Sequence, residues 1–154
     1  MSFLITLYNI GIGFYGASIR VASFFNAKAR LWTDGRRHIS TTIKNDIASL
    51  PTTHHPLPIT LWMHVASLGE FEQGRPLIET LKKETNKYRI ILTFFSPSGY
   101  EIRKNYPLAD HVFYLPIDTP RNARQFLDII QPDLVVFVKY EFWYHYLQLL
   151  YQLL

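Results

Sequence analysis

From residue 59 onward, the apolar and polar positions of the chain alternate between two kinds of segment. Four short runs are rich in β-branched, aliphatic and aromatic residues and predict buried strands at residues 59–66, 88–95, 111–117 and 133–139. Each run is followed by a segment of helical pattern, at residues 71–87, 100–107, 121–131 and from residue 141 to the end. Apolar strands separated by helices are typical of a parallel sheet covered on both faces. The pattern therefore predicts an α/β, Rossmann-like domain with right-handed crossovers.

The chain begins with a different pattern, a nearly uncharged apolar stretch at residues 3–25. As a helix this stretch would reach roughly 34 Å, enough to cross a hydrocarbon core of about 30 Å. We therefore predict an N-terminal membrane-anchor helix over residues 1–26. The alternatives are an interfacial helix that lies on the bilayer and a buried core helix. A cleaved signal peptide is disfavoured, because the cations follow the apolar stretch instead of preceding it.

Charge is distributed unevenly along the chain. Residues 1–49 hold six Lys and Arg against two acids, whereas residues 50–154 hold ten of each, so the net charge of +4 lies at the N-terminal end. A nucleic-acid binder would more often spread its cations over a folded face, so no nucleic-acid partner is expected. Cations placed directly after an apolar helix point to a membrane surface and keep the following domain in the cytoplasm. Residues 27–58 are therefore interpreted as a basic juxtamembrane linker.

Composition excludes several classes of site. The chain has no cysteine, which excludes disulfide frameworks, thiolate metal sites and cysteine nucleophiles. His54 and His55 are too isolated in the sequence to form a zinc site, so no metal is expected. The 48% hydrophobic content is too high for a disordered chain.

The carboxyl ends of the predicted strands carry the candidate site, because open α/β sheets bind ligands there. The corresponding turns are SLGE (67–70), SPSG (96–99), DTPRN (118–122) and KYE (139–141). Two interpretations of Glu70 are open. It is either a first-turn acid that stabilises a helix by about 0.3–1 kcal/mol, or a group that acts on a substrate. The 96–99 turn could bind an anion at a helix N-terminus or simply cap the next helix. His64, inside the first strand, is interpreted as a core histidine.

Specific residues in these turns resemble the 3-deoxy-D-manno-octulosonic acid (Kdo) transferase family. The resemblance rests on four blocks in order, namely the apolar anchor, WMHVASLGEFEQGRPLI, TFFSPSGYEIRKNY and ADHVFYLPIDTPRNARQFLDIIQPDLVVFVKYEFW. It implies a membrane-bound, metal-independent, inverting glycosyltransferase of the GT-B architecture, with two Rossmann-like domains. Such an enzyme would transfer Kdo from CMP-Kdo to the lipid A precursor lipid IVA at the cytoplasmic face of the inner membrane.

The same resemblance sets expectations for the chain as a whole. Residues 59–154 would form the acceptor-side domain, with the C-terminal donor domain absent and residues 1–154 inactive alone. CMP-Kdo, the lipid A precursor and membrane lipids would be the partners, no cofactor would be needed beyond the donor, and the oligomeric state is left open. The alternative is a non-catalytic module that docks on membranes or binds the acceptor.

The resemblance also implies roles for individual residues. Glu70 corresponds to the general base that removes the proton of the attacking acceptor hydroxyl, and Glu141 matches a second functionally important acid. Further residues are expected in supporting or contact roles: Ser67, Gly69 and Lys139 around the acceptor site, Ser96, Ser98 and Gly99 at an anion or the donor, and Lys28, Arg30, Arg36 and Arg37 at the membrane or at acceptor phosphates.

Overall fold

A computed structural model of the protein describes residues 3–48, 58–83 and 87–153. Its strands are β1 (Ile59–Val65), β2 (Tyr88–Phe94), β3 (His111–Tyr114) and β4 (Leu134–Phe137), and they form one sheet in the order β3-β2-β1-β4. Every neighbouring pair in this sheet is parallel. The predicted parallel α/β sheet is therefore confirmed, although each strand ends slightly earlier than the sequence indicated.

The helices of the described residues are α1 (Phe3–Ala22), α2 (Ala27–Asp34), α3 (Ile39–Ala48), α4 (Leu68–Leu81), α5 (Pro97–Arg103), α6 (Pro120–Ile130) and α7 (Tyr144–Leu153). α4 and α5 each begin three residues earlier than predicted, because Ser67 and Ser96 take the N-cap positions directly after the strands. α7 begins later than predicted, since Lys139 turns the chain with a positive φ of 66°.

The alternation of side chains along the strands divides the core between the two faces of the sheet. Trp62 of β1 packs with α3, α6 and α7 on one face, whereas Leu61 and Met63 pack with α4 and α5 on the other. Trp62 and Met63 are fully buried. Helices thus cover both faces, as predicted, and the carboxyl ends of all four strands open at one edge.

The segment interpreted as a basic linker contains two helices that belong to this packing. Ile43 of α3 is fully buried in the cluster beneath α6, and Trp32 of α2 is 8% exposed. α2 and α3 therefore pack against the sheet domain, which an extended linker would not do. Residues 49–57 of the same segment lie outside the described residues.

α1 confirms that the N-terminal apolar stretch forms a helix, and none of its residues is buried. One face of α1 contacts the domain: the Tyr8 hydroxyl donates to Asp118 Oδ2 at 2.5 Å, and Asn9 Oδ1 lies 2.6 Å from His145 Nε2. The other face exposes a row of large apolar side chains, including Leu4, Leu7 and Phe14. Among the described helices, none combines the length and the apolar character required to cross a bilayer.

Candidate active site

The sheet topology brings three of the four predicted turns side by side. β1 lies between β2 and β4, with Val65 opposite Phe94 and His64 opposite Phe137. Because the strands are parallel, the turns that follow β1, β2 and β4 meet at the same edge of the sheet. Residues 67–70, 96–99 and 139–141 therefore share one neighbourhood, while the 118–122 turn follows β3 on the far side of β2.

Glu70 lies in the first turn of α4 and its position is fixed by the backbone that precedes it. Glu70 Oε2 accepts hydrogen bonds from the amides of Ala66 and Ser67 at 2.5 and 3.3 Å, which forms the carboxylate half of a capping box. No hydrogen bond reaches Oε1 from the described residues. A Cβ on the neighbouring Gly69 would meet no atom within 4 Å. The carboxylate is thus held through one oxygen, beside open space, with its second oxygen available.

Glu141 is held at the same edge by an indole and an imidazole. Trp143 Nε1 donates to Glu141 Oε2 at 2.7 Å, and His64 Nε2 lies 3.5 Å from the same oxygen. Trp143 Nε1 also lies 3.1 Å from His64 Nε2. Glu141 therefore belongs to a cluster with the last residues of β1 and does not pair with Lys139, which is exposed and makes no described ion pair.

His64 connects this cluster to the interior of the sheet. Its side chain is completely buried, and Nδ1 lies 2.9 Å from Thr93 Oγ1 and 3.2 Å from the Thr93 carbonyl oxygen. A carbonyl can only accept, so Nδ1 carries the hydrogen and Nε2 is free to accept from Trp143 when the ring is neutral. The interpretation of His64 as a core histidine is confirmed, but its contact with Glu141 was missed. The available signal was the position of His64 three residues before the SLGE turn.

Burial and neighbouring charges act in opposite directions on the two titratable groups of the cluster. Complete burial lowers the pKa of His64 below its ordinary value, and the carboxylates of Glu141 and Glu70 only partly oppose that shift. Burial acts to raise the pKa of Glu141, but the contacts with His64 and the Trp143 indole outweigh burial and lower it. At neutral pH the cluster is therefore a neutral imidazole beside the Glu141 carboxylate.

The serines and glycine of the 96–99 turn make the contacts of a helix cap. Ser96 Oγ accepts from the Ser98 amide at 3.3 Å and lies 2.7 Å from Ser98 Oγ. A Cβ on Gly99 would overlap the Phe94 ring and lie 3.1 Å from the Leu68 amide nitrogen, so close packing requires glycine there. The contribution of these residues to anion or donor binding stays a prediction.

The four predicted basic contacts fall into two environments. Lys28, Arg30 and Arg37 are exposed, and Arg37 pairs with Asp34 at 3.4 Å. Arg36 instead turns inward.

The guanidinium of Arg36 donates to three carbonyl oxygens, those of Leu115 at 2.9 Å, Phe95 at 2.8 Å and Trp32 at 3.3 Å. Its Cζ also lies 4.0 Å from the centre of the Trp32 ring, and burial lowers its pKa to about 9. These contacts tie α2 to the ends of β2 and β3, so the placement of Arg36 does not support a membrane or phosphate contact.

Asp118, at the end of the loop after β3, is a buried acid that sequence reasoning did not single out, although its turn was considered. Asp118 Oδ2 accepts from the Tyr8 hydroxyl and, at 3.1 Å, from the backbone amide of His145. Asp118 thereby satisfies an amide in the first turn of α7 and joins α1 to the segment that follows Glu141.

Metal-ligating groups do not cluster in the described part of the chain. No group of three or more His, Cys, Asp or Glu side chains in residues 3–48, 58–83 and 87–153 could hold a metal ion. His54 and His55 lie outside those ranges.

Comparison with known proteins agrees with the resemblance noted in the sequence. Residues 32–153 match the family described as 3-deoxy-D-manno-octulosonic-acid transferase (kdotransferase). Proteins named 3-deoxy-D-manno-octulosonic acid transferase are similar to the chain in several bacteria. The one from Aquifex aeolicus is 37% identical over 84 residues, which is 54% of this chain and 23% of that protein.

Two further relatives of the same name extend the comparison. The Haemophilus influenzae protein is 34% identical over 90 residues, 57% of this chain and 21% of the relative. The Rickettsia prowazekii protein is 31% identical over 138 residues, 88% of this chain and 28% of the relative. The chain therefore spans about a quarter of the length of the curated relatives it matches.

Proposed function

The chain belongs to the 3-deoxy-D-manno-octulosonic acid (Kdo) transferase family, and from that premise we propose that it contributes the acceptor side of a glycosyltransferase. The reaction proposed is the transfer of Kdo from CMP-Kdo to the lipid A precursor lipid IVA. The names of the relatives support Kdo transfer. The observation in this structure that carries the proposal is that Glu70 and the cluster of Glu141, His64 and Trp143 lie at the carboxyl ends of the neighbouring strands β1 and β4.

Glu70 is proposed to act as the general base of an inverting transfer. The acceptor hydroxyl oxygen forms a bond to the anomeric carbon of Kdo while the bond from that carbon to the CMP phosphate oxygen breaks on the opposite face. The hydroxyl proton passes to Glu70, and CMP leaves with the electron pair of the broken bond. Support comes from the hydrogen bonds that hold Oε2 and leave Oε1 without a described partner.

Glu141 is proposed to orient the acceptor sugar beside that base. Its Oε2 is already engaged by Trp143, so its second oxygen would accept a hydrogen bond from a substrate hydroxyl. Ser67 and Gly69 leave room for the acceptor in front of α4, and the exposed Lys139 would lie at the rim of the site.

α1 is proposed to lie along the cytoplasmic surface of the inner membrane. Its exposed row of apolar side chains recurs at helical spacing within the helix and continues just beyond it: Phe3, Leu4, Leu7, Ile10, Phe14 and Val21, followed by Phe24 and Phe25. An apolar face on a helix that carries cations at its end is typical of an interfacial helix. Each cation near an anionic leaflet, such as Lys28, adds about 1 kcal/mol of attraction.

The test of the catalytic proposal is Kdo transfer from CMP-Kdo to lipid IVA by the complete gene product that carries these residues. Glu70→Gln keeps the size of the side chain and removes the base, so we expect a loss of about 100-fold or more in kcat. Glu79→Gln, an exposed acid on the same helix, is the matched control and should leave transfer unchanged.

Near-normal Kdo transfer by the Glu70→Gln protein would contradict the proposal that Glu70 is the general base. Residues 1–154 alone are proposed to transfer no Kdo, and transfer by that piece would contradict this proposal. Acceptor binding without transfer by every form of the gene product would favour the non-catalytic module instead.

A further inference from the structure

A chain of buried hydrogen bonds links the interior of the sheet to the Glu141 carboxylate. Trp62 and His64 lie on the same face of β1, and Thr93 of β2 stands directly opposite His64. All three side chains are fully buried. A hydroxyl and an imidazole are costly to bury, and aliphatic side chains at these two positions would avoid that cost. The pair therefore requires a reason beyond packing.

Thr93 fixes the orientation of the His64 ring. The Thr93 hydroxyl accepts a hydrogen bond from Trp62 Nε1 at 2.8 Å and lies 2.9 Å from His64 Nδ1. Because the Thr93 carbonyl oxygen also lies 3.2 Å from Nδ1, that nitrogen carries the hydrogen. Nε2 of the ring is then left with a lone pair that can accept a hydrogen bond.

Trp143 connects this lone pair to Glu141. The indole has one N–H donor and no acceptor, and its Nε1 lies 3.1 Å from His64 Nε2 and 2.7 Å from Glu141 Oε2. The indole ring also packs against the ring of Phe95, with the two ring centres 4.6 Å apart. One hydrogen is thus shared between an imidazole and a carboxylate, and the ring that carries it is held from two sides.

The shared hydrogen fixes one oxygen of Glu141 and leaves the other available. The contacts with Trp143 and His64 both involve Oε2, and Oε1 has no hydrogen-bond partner among the described residues. Burial lowers the pKa of His64 and keeps its ring neutral. An imidazolium would instead draw the carboxylate into an ion pair, so the neutral ring orients Glu141 through Trp143 alone.

We propose that His64 and Trp143 are positioning residues for the transfer reaction, and that they act through Glu141. The imidazole held by Thr93 fixes the indole N–H, and the indole N–H fixes the carboxylate with Oε1 toward the acceptor sugar. His64 is fully buried and does not reach a substrate. This inference rests on the proposed function, in which Glu141 orients the acceptor.

Steady-state kinetics of Kdo transfer by the complete gene product test the role of the indole. Trp143→Phe keeps an aromatic ring against Phe95 and removes the N–H. Glu141 keeps its charge in this variant and loses only its orientation. We therefore expect kcat to fall by about tenfold or more, while KM for the acceptor changes by less than about threefold.

A matched pair of His64 variants separates positioning from packing. His64→Asn can still donate to Thr93 but has no acceptor at the place of Nε2, whereas the longer His64→Gln can present its carbonyl oxygen to the indole. We expect kcat of His64→Asn to fall as far as that of Trp143→Phe, and His64→Gln to lose much less. A purely structural role would lower kcat of both alike.

Tyr146→Phe is the control for a lost buried hydrogen bond. Tyr146 is fully buried on α7 and donates to the Pro116 carbonyl oxygen at 3.0 Å. Its removal should lower Tm and leave kcat and KM unchanged. Nitrogen NMR of the full 154-residue chain at neutral pH adds a measurement that needs no substrate, and we expect the hydrogen of the His64 ring on Nδ1.

Three results would each overturn the positioning roles while wild-type transfer is normal. The first is an unchanged kcat in Trp143→Phe, the second is an equal kcat in the two His64 variants, and the third is a His64 hydrogen on Nε2. Absence of Kdo transfer by the wild-type gene product would instead overturn the proposed function, and this inference with it.

Discussion

Acidification is expected to destabilise the fold through His64, because its imidazole is completely buried and its pKa is lowered. The unfolded chain binds a proton at this residue with an ordinary pKa of about 6.5, whereas the folded chain binds it only at lower pH. Below about pH 6.5 the unfolded state therefore holds more protons, so stability falls as the pH falls. Moving from about pH 7.5 to about pH 5.5 removes up to about 1.4 kcal/mol of stability through this residue, the full amount applying when the folded imidazole stays neutral throughout.

Urea unfolding followed by far-UV circular dichroism at the two pH values measures this loss. His64→Asn is the informative variant, because an Asn amide nitrogen can take the place of Nδ1 and donate to Thr93 without titrating. We expect the variant to be less stable at neutral pH but to lose less stability than the wild type on acidification, by up to about 1.4 kcal/mol.

The control for this experiment is a second histidine with a lowered pKa. Burial also lowers the pKa of His111, but this side chain is only partly buried. His111→Asn should therefore remove a smaller share of the pH dependence than His64→Asn. Equal pH dependence in the wild type and His64→Asn proteins would refute the conclusion that the buried imidazole is neutral.

Two further substitutions test the packing around the site. Gly99→Ala should destabilise the fold by about 1–3 kcal/mol, because the added Cβ overlaps an aromatic ring of β2. Gly69→Ala, whose Cβ would enter open space, is its control in the same urea titration, and equal effects would contradict the packing argument. Tyr8→Phe removes the hydrogen bond to the buried Asp118, and we expect a loss of about 1–3 kcal/mol and faster proteolysis between α1 and α2. Unchanged proteolysis would show that this contact does not hold α1.

The fold class and the edge of the sheet that carries the candidate site were predictable from local pattern. Apolar runs with helical segments between them indicate parallel strands, and parallel strands place their carboxyl ends together. The sequence also contains a signal for α3 as a core helix. Ile39, Ile43 and Ile47 recur every four residues, which is helical spacing, and all three pack in the core cluster. The surrounding polar residues and the net positive charge favoured a linker instead.

The internal organisation of the site was not predictable in the same way. His64 and Trp143 are 79 positions apart in the sequence, and they meet only because β4 pairs with β1. The contacts of Arg36 were equally unpredictable. Nothing in the basic segment around Arg36 indicates that this arginine, unlike its neighbours, donates to the carbonyl oxygens of residues 95 and 115. Contacts of this kind depend on tertiary register, which a single sequence does not specify residue by residue.

Asp118 relates the proposed membrane helix to the candidate site through direct contacts. Its Oδ2 accepts hydrogen bonds from the Tyr8 hydroxyl of α1 and from the His145 backbone amide of α7. α7 begins shortly after the turn that contains Glu141 and Trp143. The contacts with Asp118 and His145 lie on one face of α1, and the apolar row lies exposed. If α1 lies on a bilayer as proposed, this docking fixes the height of Glu141 above the lipid surface. An acceptor whose acyl chains stay in the membrane would then present its sugar at a constant distance from Glu70, which is the orientation that general-base catalysis requires.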